Sequence, residues 1–269
     1  MKNKLIAAPY LVWMFVFILV PLIMVGYFAF TDKDGNFTLD YVADVAQYSQ
    51  IFIRSIWLAA IATVICLVIS YPLAYILTGF SKNVQSTMLM IVMLPMWMNF
   101  LLRTYAWMTM LGNNGIINTI LGFIGLGPFK MLNTEGAVVL GMVYNYLPYM
   151  ILPLYSVMVK IDKSVIEAAS DLGCNPWKTI LRVVFPLSLP GVMSGITMVF
   201  VPAISTFIIS RMLGGGGNLL IGDLIEMQFL GNAYNVNLGA AISLVLMVII
   251  LLIMTIMNQF DNDDGAVLL

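Results

Sequence analysis

Residues 55–81 read SIWLAAIATVICLVISYPLAYILTGFS and carry no charged side chain between Arg54 and Lys82. A helix needs about 20 predominantly apolar residues to cross the hydrocarbon core of a bilayer. In lipid a helix satisfies its own backbone hydrogen bonds, so an apolar run of this length predicts a membrane-spanning helix. Further charge-free stretches of sufficient length occupy 5–31, 83–102, 104–129, 136–159, 183–210 and 227–260.

The composition of the whole chain agrees with a membrane protein. Of 269 residues, 61% are hydrophobic and only 9% are charged, and the mean hydropathy is +0.99. A soluble domain is about half apolar and about a quarter charged, so a cytosolic enzyme, a nucleic-acid-binding protein and a disordered chain are excluded. The net charge is -1 and there is no His, which removes His-based triads and His-ligated metal sites. Cys66 and Cys174 give neither a CxxC pair nor a disulfide framework.

Seven charge-free stretches do not require seven spans. Residues 104–129 contain Gly112-Asn113-Asn114-Gly115 and more glycine at 122–127. We therefore expect a span to end there, followed by a turn and a short interfacial helix at about 116–126. The prediction is an all-α membrane protein, a single transmembrane domain over 1–269 with six transmembrane helices, at about 5–30, 55–80, 86–111, 136–159, 185–210 and 238–259.

The positions of Lys and Arg predict the orientation of these helices. With both termini in the cytoplasm, the inner segments hold seven of these residues and the outer segments hold five. The first apolar run is too long for a cleaved signal peptide and lacks a small-residue cleavage site, so we interpret it as an uncleaved first span. Arg103 lies near the end of the third span, and we expect it to pair with a carboxylate or with backbone carbonyls.

The segment 160–184, which this orientation places inside, predicts two short helices. Ser164 and Glu167 have the spacing of a capping box that begins the first helix. Gly173 can end that helix in a left-handed conformation, and Asn175 then caps the second helix. A helix-turn-helix on the cytoplasmic face would lead directly into the fifth span.

The same segment carries a motif. Glu167-Ala168-Ala169, then Gly173, then Val183-Val184-Phe185-Pro186 resemble the EAA loop of ABC importer permeases, with apolar replacements at Val183 and Phe185. In that family the loop docks in a groove of the ATP-binding subunit and transmits its closure. The resemblance implies the type I ABC importer permease architecture with a cytoplasmic coupling helix-turn-helix. It assigns the ATPase-coupling contacts to Glu167, Ala168, Ala169, Asp171, Leu172 and Gly173. A capping role alone is the alternative explanation for Glu167.

A narrower resemblance covers nearly the whole chain. The stretches 94–107, 112–115, 147–155 and 213–222 are similar to the first of the two permeases in polyamine (spermidine/putrescine) importers. This implies a multi-pass protein of the bacterial cell membrane that passes polyamines inward. It also implies partners: two copies of an ATP-binding subunit, a second homologous permease, an extracellular polyamine-binding protein and the lipid bilayer, with no nucleic acid. Sibling permeases for thiamine, ferric ion or another small solute share the EAA loop and stay an alternative.

The chain itself has no ATP-binding motif, because the run Gly214–Gly217 is followed by Asn218 rather than by Gly-Lys-Ser/Thr. ATP and Mg therefore belong to the partner ATPase, and we expect no cofactor, metal or catalytic residue on this chain. An intramembrane enzyme would need carboxylates or a metal cluster within the spans, where no Asp, Glu or His lies mid-span. A channel that works without ATPase partners would leave the 160–184 motif unexplained.

A path for a polycation needs carboxylates for the ammonium groups and aromatic faces for cation–π contact. Asp223 and Glu226 follow a glycine run and are three residues apart, so they share a face of a helical turn. We expect one or both to meet the polyamine or its binding protein. Aromatic and amide residues near the same ends of the spans complete the candidate path: Trp97, Asn99, Tyr105, Tyr144, Asn145, Tyr146 and Phe207. Each aromatic residue is also explained by an interfacial belt or by packing.

Overall fold

A computed structural model describes residues 8–231 and 233–265, with side chains from residue 9 to residue 257 apart from 232. The described part is helical, with one isolated β-bridge between Thr31 and Phe37. In chain order the helices are α1 (Pro9–Ala29), α2 (Asp40–Thr78), α3 (Lys82–Trp97), α4 (Phe100–Leu111), α5 (Ile116–Phe123), α6 (Glu135–Met158), α7 (Lys163–Asp171), α8 (Pro176–Ser205), α9 (Ile208–Gly214), α10 (Ile221–Leu230) and α11 (Val236–Gly265).

Five of these helices are long and apolar enough to cross a membrane: α1, α2, α6, α8 and α11 over Val236–Met257. A sixth crossing requires α3 together with the segment Phe100–Phe123, which passes the same test only as a bent pair. The fold class expected from the sequence, an all-α bundle of membrane-spanning helices, is confirmed. Residues 5–7 of the first expected span lie outside the described residues.

The third expected span, over 86–111, is not one straight helix. The chain bends by 87° between α3 and the following helical segment, and Met98 and Asn99 form the break. Pro95 lies in the last turn of α3 and has no N–H to donate to the carbonyl oxygen of Ile91, which weakens that turn. Oδ1 of Asn99 accepts hydrogen bonds from the backbone N–H of Leu101 at 2.8 Å and of Leu102 at 3.4 Å, so a new helix begins there.

The centre of the bundle consists of α2, α6 and α8, which pack against one another along much of their length. Small residues let α6 and α8 approach closely. A Cβ atom added to Gly195 would lie 2.6 Å from Sδ of Met150, and one added to Gly191 would lie 3.0 Å from the carbonyl oxygen of Pro153. The second half of α1 joins the bundle through α11.

The chain turns back at the end of α8 that is distant from α7. The helix stops at Ser205, Thr206 is extended, and α9 begins at Ile208, so the expected span over 185–210 begins earlier and ends earlier than predicted. The N-terminus of α10 is then fixed on α2, because the N–H of Ile221 donates to Oγ of buried Ser55 at 2.9 Å. Gly222 lies against the end of α8: an added Cβ would be 2.7 Å from the carbonyl oxygen of Thr206.

Candidate functional site: the coupling loop and the opposite end

Residues 160–184, called the coupling loop below, form the predicted pair of short helices. The first, α7, begins two residues earlier than expected: Asp162 is its N-cap, and Oδ1 of Asp162 accepts from the N–H of Ser164 at 3.0 Å. The capping box expected at Ser164 and Glu167 is therefore wrong. Asp162 lies two residues upstream of Ser164, and Asp and Ser are both preferred at the N-cap position.

The end of α7 follows the prediction. Gly173 adopts a φ of +81°, the left-handed region that glycine reaches without a steric penalty. The N–H of Cys174 bonds back to the carbonyl oxygen of Ala169 at 3.0 Å. Oδ1 of Asn175 then accepts from the N–H of Lys178 at 2.8 Å and begins the next helix, as expected.

The predicted coupling residues do not all face the same way. Glu167, Ala168, Asp171 and Gly173 are exposed, and Leu172 is 86% exposed. Ala169, in contrast, is 7% exposed and packs into the protein. Five of the six residues are thus available to a partner, whereas Ala169 lies on the buried side of α7.

Two large apolar side chains that the motif did not single out extend this surface. Trp177 is 74% exposed and Leu181 is 63% exposed. Charged residues surround them in the sequence, namely Asp171, Lys178 and Arg182. Their signal in the sequence is the presence of large apolar residues in a charged loop, at positions outside the EAA pattern.

The coupling loop meets the bundle in two ways: it is continuous with one helix and faces two others across a cavity. A π-helical turn at Ile180–Val184 runs without interruption into the rest of α8. A cavity of about 350 Å³ separates α7 from the neighbouring ends of α2 and α6, and Ile166 and Glu167 line it. The loop is therefore continuous with one central helix and lies over the ends of two others.

At the opposite end of the bundle, Asp223 is buried rather than displayed. It is 1% exposed, and its Oδ2 accepts from the backbone N–H of Leu220 at 3.0 Å, which caps α10. Its Oδ1 has no hydrogen-bond partner within the described residues. Ser210 lies beside it, but its hydroxyl donates to the carbonyl oxygen of Phe207 at 2.9 Å. Burial raises the pKa of Asp223 above its ordinary value.

Glu226 is the more accessible of the two predicted carboxylates. Its side chain is 22% exposed and forms an ion pair with Arg211 of α9. The hydrogen bonds from the guanidinium lower the pKa of Glu226. The two carboxylates therefore have separate partners, and only Glu226 is open to solvent.

The remaining candidate path residues fall into two groups. Trp97 and Tyr105 are 70% and 58% exposed, Phe207 is partly exposed, and Asn99 is exposed but uses its side chain as a helix cap. Of the others, Tyr144 is half-buried, and Asn145 and Tyr146 are buried. Tyr144 stacks edge-on against Trp107 with ring centroids 5.4 Å apart. Tyr146 is 8% exposed and donates to the carbonyl oxygen of Pro202 at 3.3 Å, and Asn145 is 2% exposed and donates to Gly141 at 2.8 Å.

Asn145 thus lies in the bundle interior rather than on an open surface. The expectation for Arg103 is wrong: the residue is 8% exposed, yet its Nε and Nη1 have no hydrogen-bond partner among the described residues. Its guanidinium carbon instead lies 5.8 Å from the ring centroid of Phe100. The structure thus does not bring the predicted path residues together into one lining.

The chain matches a family model over residues 2–262, and the family is described as the inner membrane component of binding-protein-dependent transport systems. The chain belongs to this family. As one of its members, the permease is a transport component and not an enzyme.

Relatives and solved structures agree with this family membership. The permease is 36% identical over 261 residues to the spermidine/putrescine transport system permease protein PotB of Haemophilus influenzae, covering 93% of this chain and 91% of the relative. It is 36% identical over 247 residues to the protein of the same name from Escherichia coli, covering 88% and 90%. Its fold resembles a bacterial ABC transporter involved in import of the acidic polysaccharide alginate, with a TM-score of 0.78, 20% identity, and coverage of 97% and 96%.

A second structure of a bacterial alginate ABC transporter, in complex with an alginate pentasaccharide-bound periplasmic protein, matches the permease with a TM-score of 0.75 and 19% identity, over 96% and 94% of the two chains. At this identity the likeness shows the fold: the permease has the architecture of an ABC importer membrane subunit.

Proposed function

We propose that this permease is the first of two membrane subunits of an ATP-driven importer that passes spermidine or putrescine from an extracellular binding protein into the cytoplasm. The whole chain serves as one transmembrane domain, with the coupling loop in the cytoplasm. The assembly contains two copies of an ATP-binding subunit, which hold ATP and Mg. Support for the polyamine comes from relatives named for spermidine and putrescine that match at 36% identity over most of both chains.

The observation that carries the coupling role is the exposed apolar surface of the coupling loop. Leu172, Trp177 and Leu181 are each more than half exposed. In a membrane span such exposure is ordinary, because lipid covers it. The coupling loop is different, since Lys and Asp residues surround these side chains and place them at a water-facing level. Large apolar residues exposed to water mark a protein interaction site, and aromatic anchors contribute most to such contacts.

The direct test is uptake by the complete set of subunits reconstituted in vesicles with ATP inside. We expect ATP-dependent uptake of labelled spermidine or putrescine, and no such uptake of thiamine or ferric ion. Uptake of one of those solutes instead of polyamine would replace the substrate while leaving the coupling role intact. Uptake by the permease without the ATP-binding subunit would contradict the proposal as a whole.

Coupling is tested with Trp177→Ala, since the side chain of Trp177 is exposed and makes no hydrogen bond within the described residues. We expect the ATP-binding subunit to dissociate more readily from the variant complex. The matched control is Trp97→Ala, which removes an equally exposed Trp from the opposite half of the molecule. Equal retention of the ATP-binding subunit by the two variants would contradict a docking role for Trp177.

We further propose that Glu226 is the carboxylate that binds the polyamine, because Asp223 is buried and accepts a hydrogen bond from the backbone N–H of Leu220. The exposed aromatic rings of Trp97 and Tyr105 supply faces for the methylene chain. Glu226→Gln should lower uptake without changing the amount of assembled complex. Arg211→Gln breaks the same ion pair but leaves the carboxylate free, so it should preserve uptake. Equal losses in both variants would mean that the pair is only structural.

A further inference from the structure

A groove along the surface of α2 and α6 opens at the end of the bundle opposite the coupling loop. Its volume is about 550 Å³, within the range of small-ligand sites. Apart from Glu135 at one end, every residue that lines it is apolar or glycine: Leu58, Ile61, Ile65, Gly136, Val139, Leu140 and Val143. The groove runs along two helices that are long and apolar enough to cross a membrane, so it lies at the depth of the hydrocarbon core.

An ion pair lies at the mouth of this groove. Arg54 is one helical turn before Leu58, and its Nη2 lies 2.7 Å from Oε1 of Glu135. Nε of Arg54 also donates to that oxygen at 2.9 Å, and its guanidinium contacts Asn218. The two side chains are 32% and 50% exposed, so the pair is only weakly stabilising and can exchange partners.

A positive and a negative side chain side by side at the head of an apolar groove match one class of molecule closely. A zwitterionic phospholipid with a free ammonium group carries a phosphate and an ammonium next to each other at the head of a hydrocarbon chain. A guanidinium is well suited to bind a phosphate, and a carboxylate accepts the N–H groups of an ammonium. Phosphatidylglycerol, which has no ammonium group, satisfies only the first of these partners, and an apolar helix satisfies neither.

We propose that this groove binds one chain of a phosphatidylethanolamine-type lipid, with its phosphate on Arg54 and its ammonium on Glu135. Gly136 makes room where the chain enters: a Cβ atom added there would meet nothing closer than Oγ1 of Thr134, at 3.8 Å. None of the residues proposed for the solute path lines this groove.

The test measures lipid retained by the assembled transporter after purification from vesicles with equal amounts of phosphatidylethanolamine and phosphatidylglycerol. We expect enrichment of phosphatidylethanolamine on the wild type. Glu135→Gln should reduce that preference by about tenfold, the factor that one charge-assisted hydrogen bond contributes. Arg54→Gln should lower retention of both lipids, since both carry a phosphate.

The groove itself is tested by Gly136→Leu, which fills it and should remove the retained lipid. The matched control is Ala60→Leu, in a smaller apolar groove of about 210 Å³ that has no charged residue in its lining. If either variant fails to assemble, crosslinking of a photoactivatable phosphatidylethanolamine to the wild type decides, and label should appear within 54–65 and 135–143. Retention in the ratio of the vesicle mixture, equal retention by the two filled variants, or crosslinks elsewhere would overturn the proposal. An assembled wild type without bound lipid would also overturn it, and would indicate that another subunit covers the groove.

Discussion

The hydroxyl of Tyr155 donates a hydrogen bond to Oε1 of Gln85 across 2.7 Å. Nε2 of Gln85 in turn donates to the carbonyl oxygens of Thr78 at 3.2 Å and Phe80 at 2.8 Å, at the end of α2. One amide thus joins α6 to the turn between α2 and α3. This turn lies at the same end of the bundle as the coupling loop, so the contact helps to hold the helices on which the loop rests.

This contact predicts an order of stability between two variants. Gln85 is 8% exposed, and Gln85→Ala leaves two backbone carbonyls and the Tyr155 hydroxyl without their partner, which should cost about 1–3 kcal/mol. Tyr155→Phe removes one hydroxyl and leaves the bonds to the carbonyls, so it should cost about 1 kcal/mol. Melting temperatures of the two purified variants check the order. A larger loss in Tyr155→Phe would contradict the assignment.

Neighbouring alanines in the coupling loop should respond in opposite ways. Ala168 is exposed, so Ala168→Leu should leave the permease stable but weaken its complex with the ATP-binding subunit by obstructing close approach. Ala169 is buried, and Ala169→Leu forces extra atoms into packed space, which costs about 1–3 kcal/mol. Melting temperature and copurification of the ATP-binding subunit are measured together. Equal effects of both substitutions on stability would contradict the observed orientation of α7.

The buried carboxylate of Asp223 predicts a pH dependence. Burial raises its pKa above the ordinary 3.8, so the folded protein binds this proton more tightly than the unfolded chain. The charged form therefore destabilises the fold at neutral pH, and the penalty disappears as pH falls through the raised pKa. Asp223→Asn keeps an acceptor for the N–H of Leu220 without the charge, so at pH 7 it should be at least as stable as the wild type.

The control for this prediction is Asp223→Ala, which removes the cap as well as the charge and should be about 1 kcal/mol less stable than Asp223→Asn at every pH. Melting temperatures of the three proteins from pH 7 to pH 4 are compared. The difference between wild type and Asp223→Asn should shrink on acidification. A difference that is constant with pH would show that the carboxylate does not titrate in this range.

Two glycines with close neighbours should differ in tolerance. A Cβ at Gly222 would lie 2.7 Å from the backbone carbonyl oxygen of Thr206, which cannot move without shifting the end of α8. A Cβ at Gly195 would lie 2.6 Å from Sδ of Met150, the end of a flexible side chain. Gly222→Ala should therefore cost about 1–3 kcal/mol, and Gly195→Ala should cost less. Thermal unfolding of both variants measures this, and the reverse order would contradict the packing described for α10.

The sequence alone determined the class of fold and the helix-turn-helix within residues 160–184. Charge-free runs predict spanning helices because lipid penalises every unpaired polar group. The signal for each span therefore lies within its own stretch of sequence. The helix-turn-helix was equally local: Gly173 and Asn175 act through backbone geometry within a few residues. The sequence pattern nevertheless favours Ser164 as the N-cap of α7, whereas the actual N-cap is Asp162, because two good capping residues lie within one turn.

Only the tertiary structure decided which polar residues are exposed to solvent and which are buried. Asp223 and Glu226 are three apart and look equivalent in the sequence, yet one caps a buried helix end and the other pairs with Arg211 at the surface. The break at Met98 and Asn99 turned a single expected span into two helices, and Ala169 faces inward beside exposed Ala168. Burial and partner choice depend on which helices meet, and those contacts join residues far apart in the chain.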